Sequence, residues 1–119
     1  MDKTAYQPLL TDEVKAAIST TPIIDIRPAS FYAEGHIPTS INIPFNEVAP
    51  QGEDWQPYIV QAIEKAGFGP EDEFIVSCQT GYHSKLACDA LFNEGFTKVL
   101  YHPGSFEDWV LDPSNPVEK

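Results

Sequence analysis

The chain has 119 residues, enough for one domain with a real core and too few for two. It is 42% hydrophobic and 12% aromatic, so it should fold. Seven Lys and Arg against 18 Asp and Glu leave a formal charge of −11, which argues against nucleic acid and against an anionic membrane surface.

Residues 1–10 read as an N-terminal arm, with Tyr6, Leu9 and Leu10 able to pin it down. A short helix follows over 11–18, with Thr11 at its N-cap and acids in its first turn. Pro22 to Arg27 reads as a strand; Ile23, Ile24 and Ile26 suit a sheet covered on both faces. Pro28 stops it. Ser30 to Glu34 makes one helical turn, ended by Gly35. Ser40 to Pro44 is a second strand, short and closed by proline. Residues 46–54 form a loop.

Asp54 to Ala66 fits a helix with Trp55, Ile59, Ala62, Ile63 and Ala66 on one face. Pro57 is tolerated in its first turn and Gly67 ends it. Glu73 to Ser77 is the third strand. It runs into Cys78, a loop containing Gly81, and a helical pattern from Ser84 with Leu86, Ala87, Ala90 and Leu91 inward and Lys85 and Asp89 paired outward. Gly95 ends that helix. Thr97 to Tyr101 is the fourth strand, His102-Pro103-Gly104 turns the chain, and 105–110 is a last short helix capped by Ser105. From Asp112 the chain is a tail, 112–119, expected to fray.

Strands separated by helices or helix-length connections imply an α/β domain over 11–111. Its sheet is small and mainly parallel, with helices on both faces. Ligands of such sheets bind beyond the carboxyl ends of the strands, where Cys78 sits. A strand passing through a tight loop into a helix N-terminus aims several N–H groups at one spot, and the helix dipole adds positive potential. A thiol there should be acidified, since its thiolate is the form stabilised. The plain alternative is a buried structural cysteine at a strand end.

Cys78 and Cys88 are the only cysteines. They form no CxxC pair and no Cys/His ligand set, so neither a zinc site, a cofactor nor a disulfide framework is indicated. The helix between them prevents a Cys78–Cys88 bridge. Free cysteines suit a reducing compartment. The N-terminus lacks a basic and an apolar region of signal type, and no apolar run approaches a membrane span. The expectation is a cytoplasmic protein.

Five fragments in order resemble a single rhodanese domain. They are Ile24-Asp25-Ile26-Arg27, the segment from Glu34-Gly35-His36-Ile37-Pro38 to Ile43-Pro44, the loop Cys78-Gln79-Thr80-Gly81-Tyr82-His83-Ser84, the segment Asn93 to Val99, and Gly104-Ser105-Phe106-Glu107-Asp108-Trp109. The resemblance implies a rhodanese-like fold and sulfurtransferase chemistry. Cys78 thiolate would take a sulfane sulfur from a donor such as thiosulfate, become a persulfide, and pass the sulfur to cyanide or a thiol. Glutathione or a thioredoxin-like protein would be such an acceptor. Backbone N–H groups of 79–84 would hold the anion.

Gln79, Thr80, Gly81, Tyr82, His83, Ser84 and Arg27 are the expected substrate-binding residues. Gly81 permits a turn that a Cβ would hinder. Gln79, Thr80 and Tyr82 sit on the rim, where acceptor choice would be made. His83 would supply charge when protonated or a hydrogen bond when neutral, or would merely stand at a helix start. Arg27, following Asp25, would brace the loops, as His36 would brace its turn.

The related dual-specificity phosphatases of this fold carry an arginine in a longer loop. Here Cys78 to His83 is six residues without one, and Arg27 is the chain's sole arginine. A phosphate-transfer enzyme without that bidentate donor is hard to defend. The same missing cation weakens the expectation of a small anionic donor. A sulfur relay fed by another protein, or a rhodanese-like interaction module, are the competing readings.

Overall fold

A computed structural model describes residues 6–119. Five parallel strands form one sheet: β1 (Gln7–Pro8), β2 (Ile23–Asp25), β3 (Ile41–Asn42), β4 (Phe74–Ser77) and β5 (Val99–Tyr101), in the order β1-β5-β4-β2-β3. Five helices accompany them: α1 (Thr11–Ala17), α2 (Ala29–Glu34), α3 (Gln56–Lys65), α4 (Tyr82–Asn93) and α5 (Ser105–Trp109).

The pleat of β2 and β4 divides the core in two. Ile24, Ile26, Phe74 and Val76 pack with Ile59, Val60 and Ile63 of α3 and with Ala87, Cys88 and Leu91 of α4. Ile23 and Ile75 point the other way, to Val14 of α1 and Trp109 of α5. The run of isoleucines thus covers both faces of a buried parallel sheet, as its composition predicts.

Several boundaries differ from the sequence reading. The expected arm contains β1, which pairs with the edge of β5; two residues ending in proline carry no readable strand pattern. Residues 1–5 of that arm lie outside the described residues. Leu10, not Thr11, holds the N-cap of α1, and its N–H donates to Glu13 Oε1 at 2.8 Å. Thr11 is drawn away by tertiary contacts. Helix α3 begins two residues later than expected, with Trp55 at the cap position.

Helix α4 begins two residues earlier, at Tyr82, because Gly81 takes φ 96° and turns the chain at once. The expected fraying tail is docked. His36 and Glu118 exchange backbone hydrogen bonds of 2.8 and 2.9 Å, and Trp109 Nε1 donates to the Pro116 carbonyl at 2.8 Å.

Candidate active site

Strand β4 is the middle of the sheet, so its carboxyl end is surrounded by neighbours. Cys78 follows it directly and is 2% exposed. Its Sγ receives the Gly81 N–H at 3.1 Å and the Ser84 N–H at 3.2 Å. Ser84 Oγ lies 3.3 Å from the sulfur, and Ser105 Oγ lies at 3.7 Å. The N–H groups expected to converge at the start of the helix do so, from the N-cap Gly81 and from Ser84, while the Ser84 hydroxyl accepts from the thiol and donates to the Gly81 carbonyl at 3.2 Å.

The turn that makes this cradle is tightly specified. A Cβ on Gly81 would stand 2.2 Å from the Pro103 carbonyl oxygen. Tyr101 Oη donates to the Gly81 carbonyl at 3.0 Å and anchors the turn to β5. From the other side, the N–H groups of Phe106 and Glu107 donate to the carbonyls of Cys78 and Gln79 at 2.9 Å each. Loop, β5 and α5 are thus one hydrogen-bonded unit.

The expected substrate-binding residues separate into three groups. Gly81 and Ser84 touch the sulfur and are buried. Thr80 and Tyr82 are exposed and Gln79 is half-buried, so these three form the rim. Arg27 is at neither place. It is 3% exposed, and its guanidinium holds both Asp25 carboxylate oxygens at 2.9 to 3.1 Å. It also donates to the Gly35 carbonyl at 2.7 Å and to Gln79 Oε1 at 3.3 Å, and it lies over the Phe106 ring at 4.1 Å. Arg27 braces the turn after α2 and the side chain of Gln79.

His83 stacks on Phe45 at a centroid distance of 3.9 Å, with Trp55 edge-on at 5.9 Å. Burial lowers its pKa. That direction favours the neutral ring, so of the roles offered for it the hydrogen bond is better supported than the charge. Lys85 is committed to the Asp89 carboxylate at 3.4 Å and the Tyr6 hydroxyl at 3.2 Å. Burial drives the Cys88 thiol strongly upward, which leaves it an inert core residue.

Two participants escaped the sequence reading. Ser105, expected only as a cap, accepts the Cys78 N–H at 3.0 Å and donates to the His102 carbonyl at 2.8 Å. His102, expected only as a turn residue, is fully buried between Ser77 Oγ at 3.0 Å and Thr11 Oγ1 at 2.9 Å. Thr11 in turn donates to Asp108. Its single proton is spent there, so Thr11 accepts from Nε2–H of His102, and Nδ1 accepts from Ser77. Burial pushes His102 down to about 4, against the pull of Asp108. A histidine beside a Pro-Gly turn gives no local sign of such burial.

A buried cysteine held by helix-start amides at the carboxyl edge of a parallel sheet defines an α/β protein built around one thiol. The model of the Rhodanese-like domain family matches residues 10–112, and the chain belongs to that family.

Thiosulfate sulfurtransferase 16 of Arabidopsis thaliana, chloroplastic, is 30% identical over 87 residues, 73% of this chain and 72% of that protein. A mouse thiosulfate sulfurtransferase/rhodanese-like domain-containing protein 3 is 34% identical over 104 residues, 82% of this chain and 64% of its own length. The chain spans only 40% of the Escherichia coli 3-mercaptopyruvate sulfurtransferase, to which it is 31% identical. Among solved structures, the human single-domain sulfurtransferase TSTD1 superposes with TM-score 0.68 at 25% identity, covering 88% of this chain and 96% of that one.

Proposed function

We propose that this chain is a sulfurtransferase that carries sulfane sulfur as a persulfide on Cys78. The observation that carries the reading is the pair of amides at 3.1 and 3.2 Å from Sγ, with the Ser84 hydroxyl at 3.3 Å. The family and the sulfurtransferases within it support the same class of chemistry.

In the first half-reaction the Cys78 thiolate attacks the outer sulfur of a donor such as thiosulfate. The donor's S–S bond breaks, sulfite leaves with the electron pair, and the new bond is Sγ–S. In the second, cyanide or a thiol attacks the outer sulfur, and the Sγ–S electron pair returns to Cys78 as thiolate. Negative charge sits on Sγ before the first transfer and again after the second, where the amides are already aimed, and on the outer sulfur one bond further out in between. Gln79, Thr80 and Tyr82 form the surface an acceptor meets.

A relay from another protein is favoured as the source of sulfur by one observation. Residues Gln79 to Ser84 hold no Lys or Arg, and Lys85 is engaged by Asp89 and Tyr6. A small dianion then finds little local attraction against a chain of charge −11. A persulfide delivered on a thioredoxin-like partner needs less, because the docking surface and not a small anion's own charge brings the sulfur in.

The test is mass spectrometry of the intact protein after treatment with thiosulfate and, separately, with glutathione persulfide. One added sulfur on Cys78, removed by cyanide as thiocyanate and absent in Cys78→Ser, is expected. No added sulfur from either donor would sink the reading.

A further inference from the structure

Ser105 has a backbone that a serine rarely adopts. Its φ is 57°, one of two non-glycine positive values among the described residues. Left-handed backbone is costly for a residue with a Cβ and persists where the surroundings hold it. Here the side chain is fully buried and each of its bonds points into the site. Oγ accepts the Cys78 N–H at 3.0 Å and donates its one proton to the His102 carbonyl at 2.8 Å, while standing 3.7 Å from Cys78 Sγ.

The hydroxyl is thus within reach of two acceptors, a neutral carbonyl and the reacting sulfur. A hydrogen bond to an anion is roughly twice as strong as one to a neutral group. When the sulfur is a thiol the carbonyl is the better acceptor. When it carries negative charge the sulfur is. We propose that Ser105 is a further donor for the Cys78 sulfur, turning from the His102 carbonyl to Sγ when that sulfur is an anion. The Cys78 N–H stays on Ser105 Oγ in both states, so the rotation needs no backbone change. This rests on Cys78 being the reacting nucleophile, and it adds a residue from α5 to a cradle otherwise built by the start of α4.

Cys88 on α4 and Tyr101 on β5 are electrostatically coupled to Cys78, Lys85 acts on both of them, and the Arg27–Asp25 pair lies beyond Gln79. All of them remain in Ser105→Ala and Ser105→Gly.

The experiment is a pH titration of the Cys78 thiolate by its ultraviolet absorbance, with Cys78→Ser as the blank. Ser105→Ala removes the hydroxyl and keeps the left-handed Cβ. Ser105→Gly removes the hydroxyl and relaxes the backbone, which offsets part of the cost of leaving the buried Cys78 N–H without its acceptor. Both variants should titrate about one pH unit above the wild type, the size of a lost charge-assisted hydrogen bond. Equal midpoints in wild type and Ser105→Ala overturn the proposal, since that variant keeps the Cβ and its backbone and loses only the hydroxyl; where the alanine variant does not fold, Ser105→Gly is read in the same way. The titration needs no sulfur donor. A failure to form persulfide would remove the proposed function and leave this result standing.

Discussion

His102 shows how far one residue's role depends on its surroundings. It is neutral, with its proton on Nε2, and burial holds its pKa at about 4. In the unfolded chain it titrates near 6.5, so below that pH the unfolded state takes up a proton that the folded state refuses. Stability is then complete above about 6.5 and falls as the pH drops toward 4.

The loss between pH 6.5 and 5 should be roughly 1.5 kcal/mol from this residue alone. His83, also pushed down by burial, adds to the same slope. Urea denaturation across that range measures it, and His102→Gln should flatten most of it. A level wild-type profile would show that His102 is protonated in place.

Arg27 and Asp25 make the second case at this scale. Both are nearly dry, and the pair is joined through Nη2 and Oδ2 at 2.9 Å. Asp25→Ala leaves the guanidinium buried and unpaired, and should cost about 3–5 kcal/mol. The same variant should loosen Gln79, which Arg27 holds. A urea midpoint equal to wild type would show that Arg27 needs no carboxylate partner to stay buried.

Among elements, the junction of β4 and α4 is decisive. The helix starts at Tyr82 because Gly81 sits at φ 96° against the Pro103 carbonyl. Gly81→Ala therefore meets both a disfavoured backbone and a hard contact. It should destabilise by about 1–3 kcal/mol or more, and should lower persulfide formation beyond what stability explains, because the amide at 3.1 Å from the sulfur moves. Unchanged loading in a folded Gly81→Ala protein would show that this amide does not hold the anion.

The strand and the loop glycine were both legible, since a β-branched run, a cysteine and a glycine lie within a few residues. The helix start was not. The residues 82–83 look like loop, and what makes them helical is a glycine conformation and a carbonyl from across the sheet.

For the whole molecule, charge is the governing quantity. At −11 the chain repels a dianionic donor over distances longer than any one side chain reaches. Raising ionic strength from ~0.01 to ~0.1 M shortens the screening length from about 30 to about 10 Å. The kcat/KM for thiosulfate should therefore rise several-fold over that range. That for an uncharged thiol acceptor should stay level. A fall with salt would reveal a local cation that outweighs the global field.

The sheet has a consequence at the same scale. Its order puts β4 between β2 and β5, so the Cys78 loop is reached from both sides by the ends of neighbouring strands.

Read alone, the chain determined what is local. Alternation of strand and helix patterns announced an α/β sheet. A cysteine followed by a glycine and a helix announced the cradle, and the ordered fragments announced the family. Local periodicity suffices for these because each is set within a few consecutive residues. The tertiary structure decided everything that needs two distant segments. Pairing with β5 turned Gln7 and Pro8 of the arm into a strand, and docking on His36 and Trp109 tied down the tail. Packing against Phe45 and the burial that goes with it lower the pKa of His83. The contact of Ser105 with Cys78 spans the distance between α5 and the end of β4. A residue's burial and partners follow from the path of the whole backbone, and no window of the sequence contains that path.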